Sequence, residues 1–61
     1  GRYVIVLENG QVWRQLKADN ARLLVPKDLQ NSPATIRRRS FGSFLFSFNA
    51  NNRAVKVERL K

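Results

Sequence analysis

The chain reads as an all-β protein: a small, five-stranded antiparallel barrel of the SH3-like class, with a partly open OB-like barrel as the alternative. Three observations predict this. β-Branched and aromatic residues gather in short runs, Asn9-Gly10 and Phe41-Gly42 interrupt those runs at hairpin spacing, and no amphipathic helix of useful length is present. At 61 residues the chain has room for one domain, spanning 1–61.

The first run, Tyr3-Val4-Ile5-Val6-Leu7, passes through Glu8-Asn9-Gly10-Gln11 into Val12-Trp13-Arg14-Gln15-Leu16. Asn-Gly between β-branched runs favours a type I′ turn, because both central residues need positive φ. A two-residue loop then sets Leu7 opposite Val12, Val6 opposite Trp13 and Ile5 opposite Arg14. In that register one face carries Tyr3, Ile5, Leu7, Val12 and Leu16 around Arg14, while the other carries Val4, Val6 and Trp13 with Glu8, Gln11 and Gln15. The first set is the more apolar and is expected inside, leaving Trp13 on the outer face.

Lys17 to Asn20 forms a turn, and Leu23-Leu24-Val25 a short strand that Pro26 ends, since proline cannot donate to a ladder. Lys27 to Pro33 is a polar connection with room for one 3₁₀ turn. The remainder is a meander. Around Ser40-Phe41-Gly42, a three-residue loop with left-handed Gly42 pairs Ile36 with Phe46 and Arg38 with Phe44, which matches apolar with apolar at its centre. A two-residue loop would instead drive Arg37 and Arg39 against the phenylalanines. After the turn at Asn49 to Asn52, Phe46 faces Val55 and Phe44 faces Val57. The inner face is then Ile36, Phe44, Phe46, Phe48, Val55 and Val57, and closure of the barrel would protect its strand edges.

Three segments, L-E-N-G-Q-V-W-R-Q (7–15), I-R-R-R-S-F-G-S-F-L-F (36–46) and A-V-K-V-E-R-L (54–60), together resemble a small, uncharacterised domain of proteobacterial proteins. There an Asn-Gly-Gln-Val-Trp hairpin precedes an Ile-Arg-Arg strand, a Gly-Ser-aromatic turn and a basic last strand. The resemblance spans nearly the whole chain. It implies a β-barrel and no activity, and it implies a fragment of a longer bacterial protein, because the domain there often ends one. Cytoplasm and envelope stay equally open.

Composition excludes much chemistry. Without Cys or His there is no zinc set, thiol nucleophile, disulfide or imidazole base, and no recognisable motif pairs the four acids. An enzyme is therefore not expected, nor a cofactor, and no run is long enough to span a bilayer. What remains is a monomeric basic binding module with 12 Lys and Arg against 4 Asp and Glu, a net charge of +8. Nucleic acid or another anionic partner would meet Arg37 and Lys56, which share an outer row without an acid, and Arg39 and Arg53 beside them. Arg39 is expected opposite Glu58. The competing reading of these charges is a solvated face that keeps an edge from aggregating. Trp13 and Phe41 are the aromatic platforms on which a base or partner could stack, and Trp13 has a competing place in a minor core. The second functional reading is a protein-interaction module, envelope-associated or not, docking through an exposed Trp13 patch.

Overall fold

The computed structural model describes residues 2–51 and 53–61. Five strands, β1 (Val4–Val6), β2 (Val12–Gln15), β3 (Ala34–Arg38), β4 (Phe44–Phe48) and β5 (Ala54–Arg59), form one antiparallel sheet in the order β1-β2-β5-β4-β3. The sheet curls into a half-barrel, consistent with a small SH3-like or OB-like barrel. Among the described residues there is no α-helix, and therefore none long and apolar enough to cross a membrane. A single 3₁₀ turn at Leu29–Asn31 occupies the polar connection, as expected.

The meander follows the expected register. Ile36 pairs with Phe46 and Arg38 with Phe44, while Phe46 faces Val55 and Phe44 faces Val57. Phe46, Val55 and Val57 are essentially inaccessible, Phe48 is buried beside them, and the Phe46 and Phe48 rings meet edge to face at 5.2 Å. The reason is the clean alternation of 44–48: three phenylalanines on one side of a pleated strand have only one apolar face to enter.

The first hairpin differs from expectation by one residue. Leu7 N–H donates to Gln11 O (2.9 Å) and Gly10 N–H to Leu7 O (3.0 Å), so the loop has three residues, and of these only Gly10 takes positive φ (+90°). Val4 then faces Arg14, Ile5 faces Trp13 and Val6 faces Val12. A one-residue slip exchanges the faces of β2 and leaves those of β1 unchanged. Trp13 and Gln15 turn inward and Val12 and Arg14 outward. Trp13 is 5% exposed, its ring edge-on to Phe44 at 5.1 Å and its Nε1–H donating to Gln11 Oε1 (3.1 Å).

The number of apolar residues on a face does not decide which face is buried, because they differ in the area they remove from water. One buried Trp removes about 150–250 Å² from water, and turning Arg14 outward spares a guanidinium from burial. The inward glutamine is satisfied: Gln15, 2% exposed, accepts from Tyr3 N–H (3.4 Å) and donates to Asp19 Oδ2 (3.1 Å) and Ala21 O (2.8 Å).

Leu23–Val25 is not a strand. Its backbone is held by side chains instead. The Tyr3 hydroxyl donates to Leu23 O (3.4 Å) and accepts from Leu23 N–H (3.3 Å), and Asn51 Nδ2 donates to Leu24 O (3.2 Å). With local polar partners available, the segment needs no ladder. Through Leu23, which is buried, it joins the core.

The sheet is curled but keeps two edges, β1 and β3. With antiparallel pairing throughout, the first and last of five strands run in the same direction. They therefore cannot be joined by one more antiparallel pairing. A groove of about 750 Å³ lies along this open side, lined by apolar residues of β1, Leu23, Val25, Leu29, Phe46 and Phe48.

Candidate anion-binding surface

The convex face is organised in cross-strand rows. Arg37 faces Leu45, and Leu45 faces Lys56, with both cations exposed. They stand two strand spacings apart, about 10 Å. They share a row as expected, but the Asp19 carboxylate, brought in from the 17–20 turn, stands beside Lys56.

Arg39 occupies the neighbouring row, where its N–H donates to Ser43 O (2.7 Å). Its expected acidic partner is engaged elsewhere. Glu58 faces Arg14, whose Nη2 and Nε lie 2.8 and 3.2 Å from Glu58 Oε2, the one ion pair among the described residues. This follows directly from the register of the first hairpin, since Arg14 reaches Glu58 only when it points outward. Both partners are about 40% exposed, so the pair contributes little to stability. Its larger effect is to leave the Arg39 guanidinium without Glu58. Arg53 is not part of this cluster. It precedes β5, exposed, with its N–H donating to Asn51 Oδ1 (3.0 Å).

The two aromatic candidates separate completely. Trp13 lies in the core and offers no outer platform, so the docking patch expected around it does not form. Phe41 is fully exposed at the tip of the β3–β4 hairpin. It is also the single non-glycine residue with positive φ among the described residues (φ 60°, ψ 30°), followed by Gly42 at φ 74°. Ser43 N–H donates to Ser40 O across this pair (3.3 Å), so Phe41-Gly42 occupies the two central positions of a type I′ turn. The turn carries the ring outward directly after Arg37-Arg38-Arg39, all three exposed.

One contributor was not visible in the sequence. Asp19 Oδ2 accepts the Lys56 N–H (2.9 Å) together with the Gln15 amide, joining the 17–20 turn to β5 where β2 ends. Partial burial pushes the Asp19 carboxyl up, but the Gln15, Lys56 and Ala21 hydrogen bonds and the Lys56 charge together hold it below the ordinary carboxylate value. The turn it anchors borders a polar cleft of about 490 Å³, where Arg2, Lys17 and Arg22 stand around Asp19, Tyr3 and Gln15. Lys56 is joined to this turn through its backbone N–H and Asp19, and does not itself line the cleft. The turn carries no sequence signal, because nothing in a polar loop announces that its own aspartate will fasten it to a strand 37 positions away.

No family model, no curated protein and no solved structure matches the chain.

Proposed function

We propose that this is a non-enzymatic binding module that takes an anionic partner, nucleic acid above all, on its convex face and second hairpin tip. Arg37 and Lys56 would contact phosphates, with Arg39 flanking them. Phe41 would stack on an unpaired base. Arg53, set apart from the cluster, adds long-range attraction only.

The observation that carries this reading is Phe41. A phenylalanine in the left-handed region costs about 1–2 kcal/mol relative to an ordinary conformation, and here the ring buries nothing in return. A residue that is both strained and fully exposed contributes nothing to the fold, and such outliers point to binding. Three arginines lead into it, and single-stranded nucleic acid is the anionic ligand whose unstacked bases can lie on the face of an exposed aromatic ring.

The test is anisotropy of a labelled single-stranded oligonucleotide and of its duplex at two salt concentrations. The label belongs on the nucleic acid, because buried Trp13 is insulated from the surface. Affinity should fall steeply with salt, and Arg37→Ala or Lys56→Ala should each lower the single-strand salt slope by about 0.7. Phe41→Ala should weaken single-strand binding by about 1–3 kcal/mol and leave duplex binding nearly unchanged. No binding at low salt overturns the reading.

A further inference from the structure

The two sheet edges are protected very differently. On β3, Asn49 N–H donates to Pro33 O and Arg39 N–H to Ser43 O, so the odd-numbered residues pair with β4 and the alternation turns Ala34, Ile36 and Arg38 to the open side. That edge begins after a proline and ends on arginines, two ordinary devices against strand addition. On β1, Leu7 N–H donates to Gln11 O and Gln15 N–H to Tyr3 O, so Tyr3, Ile5 and Leu7 pair with β2. Val4 and Val6 turn their N–H and C=O groups to the open side. Among the described residues no group outside β2 bonds to either backbone. The two residues are 60% and 71% exposed, and residues 3–7 contain neither charge nor proline.

We propose that β1 is a self-complementary edge on which two copies of this chain pair antiparallel about a two-fold axis at Ile5. The occupant is a second copy because the strand fits its own reverse in both hydrogen bonding and charge. In a register centred on Ile5, Val4 of one copy faces Val6 of the other. These two residues hold the free backbone groups, so each Val4–Val6 pair exchanges two N–H···O bonds. Arg2 then faces Glu8 of the second copy, twice, placing opposite charges directly across from each other at both ends. Shifting the centre to Val4 or Val6 loses that match. On the concave side, Tyr3 meets Leu7 and Ile5 meets Ile5 of the second copy, extending the apolar row that lines the open groove. Such an isologous contact uses β1 once per copy and stops at two, since the β3 edge keeps its proline and arginines.

The test is sedimentation velocity on the 61-residue chain from about 10 µM to about 1 mM, with Trp13 emission confirming that every variant is folded. The wild-type chain should pass reversibly from monomer to dimer. V6E, which sets a carboxylate against Val4 of the second copy in both pairs, should abolish the dimer. R2E and E8R should each loosen it by about tenfold, by turning two attractive pairs repulsive, and the R2E/E8R swap should restore wild-type affinity. A monomer throughout, an open-ended aggregate, a dimer indifferent to V6E, or a swap that fails to rescue would each overturn the proposal.

Discussion

At the first hairpin tip, Glu8-Asn9-Gly10 forms a three-residue loop in which Gly10 alone is left-handed, and Asn9 Oδ1 accepts the Gln11 N–H (3.0 Å). At the second, Phe41 and Gly42 are both left-handed within a type I′ turn, and the chain bulges at Arg39-Ser40 to keep the Ile36–Phe46 register. The tip holding asparagine, a residue suited to positive φ, does not use it there. The tip holding phenylalanine, a residue poorly suited to positive φ, does. In both cases the side chains behind the turn decide. Pairing that buries Trp13 against Phe44 requires an odd loop in the first hairpin, and pairing that buries Phe44 and Phe46 requires an odd offset in the second. Turn propensity spans about a kilocalorie per mole, whereas a large aromatic is worth several. Packing therefore sets the register, and the loop takes whatever conformation the register leaves.

The sharpest way to break this comparison is Trp13→Ala. If the first hairpin is held by its inward Trp, truncation should cost about 3–5 kcal/mol, comparable to the whole stability of a domain this small, and a thermal melt should show the chain largely unfolded. Val12→Ala, on the opposite face of the same strand, should cost less than about 1 kcal/mol. Equal effects would mean that both faces of β2 contribute alike and that the register is set elsewhere.

A smaller effect separates the turn types themselves. No atom lies within 4 Å of a Cβ built on Gly10 or on Gly42, so only backbone strain opposes a side chain at either position. Gly10→Val and Gly42→Val should each cost about 1–3 kcal/mol. Asn9→Val should cost only its hydrogen bond to Gln11, about 0.5–1.5 kcal/mol. A type I′ turn at the first tip would make Asn9→Val as damaging as Gly10→Val. Chemical denaturation of the three variants therefore decides between the two turns.

The same contrast explains what was legible in the sequence. The meander was readable because alternating Phe44, Phe46 and Phe48 leave one face to bury and basic Arg37 and Arg39 exclude the other register. The Arg37–Lys56 row and the exposed tip at Phe41 followed from that register alone. The first hairpin was harder because residues 11–16 alternate two glutamines and a tryptophan against two apolar residues and an arginine, so neither face is plainly the core. Its register rests on partners outside the hairpin, Phe44 for Trp13 and Glu58 for Arg14 far along the chain and Asp19 for Gln15 in the next turn. The candidate site inherited that blindness. Placing Trp13 outward supplied a platform that does not exist, and assigning Glu58 to Arg39 neutralised a cation that Arg14 in fact leaves free. The coil at 20–28 was opaque for a related reason. Its backbone bonds go to the side chains of Tyr3, Gln15 and Asn51, and no local pattern encodes them.

The smallest expected effect bears on why the second tip tolerates its conformation. Asparagine adopts the left-handed region several times more readily than phenylalanine, and the Phe41 ring buries nothing. Phe41→Asn should therefore raise stability by about 1 kcal/mol, read as a higher denaturation midpoint with an unchanged slope. The substitution removes the ring that we propose stacks on a base, so the same variant should bind single-stranded oligonucleotide less well. A gain in stability joined to a loss in binding is the signature of strain kept for function. A loss of stability would show instead that the ring packs on its own arginines, and the second hairpin would then be held by its tip as well as by its core.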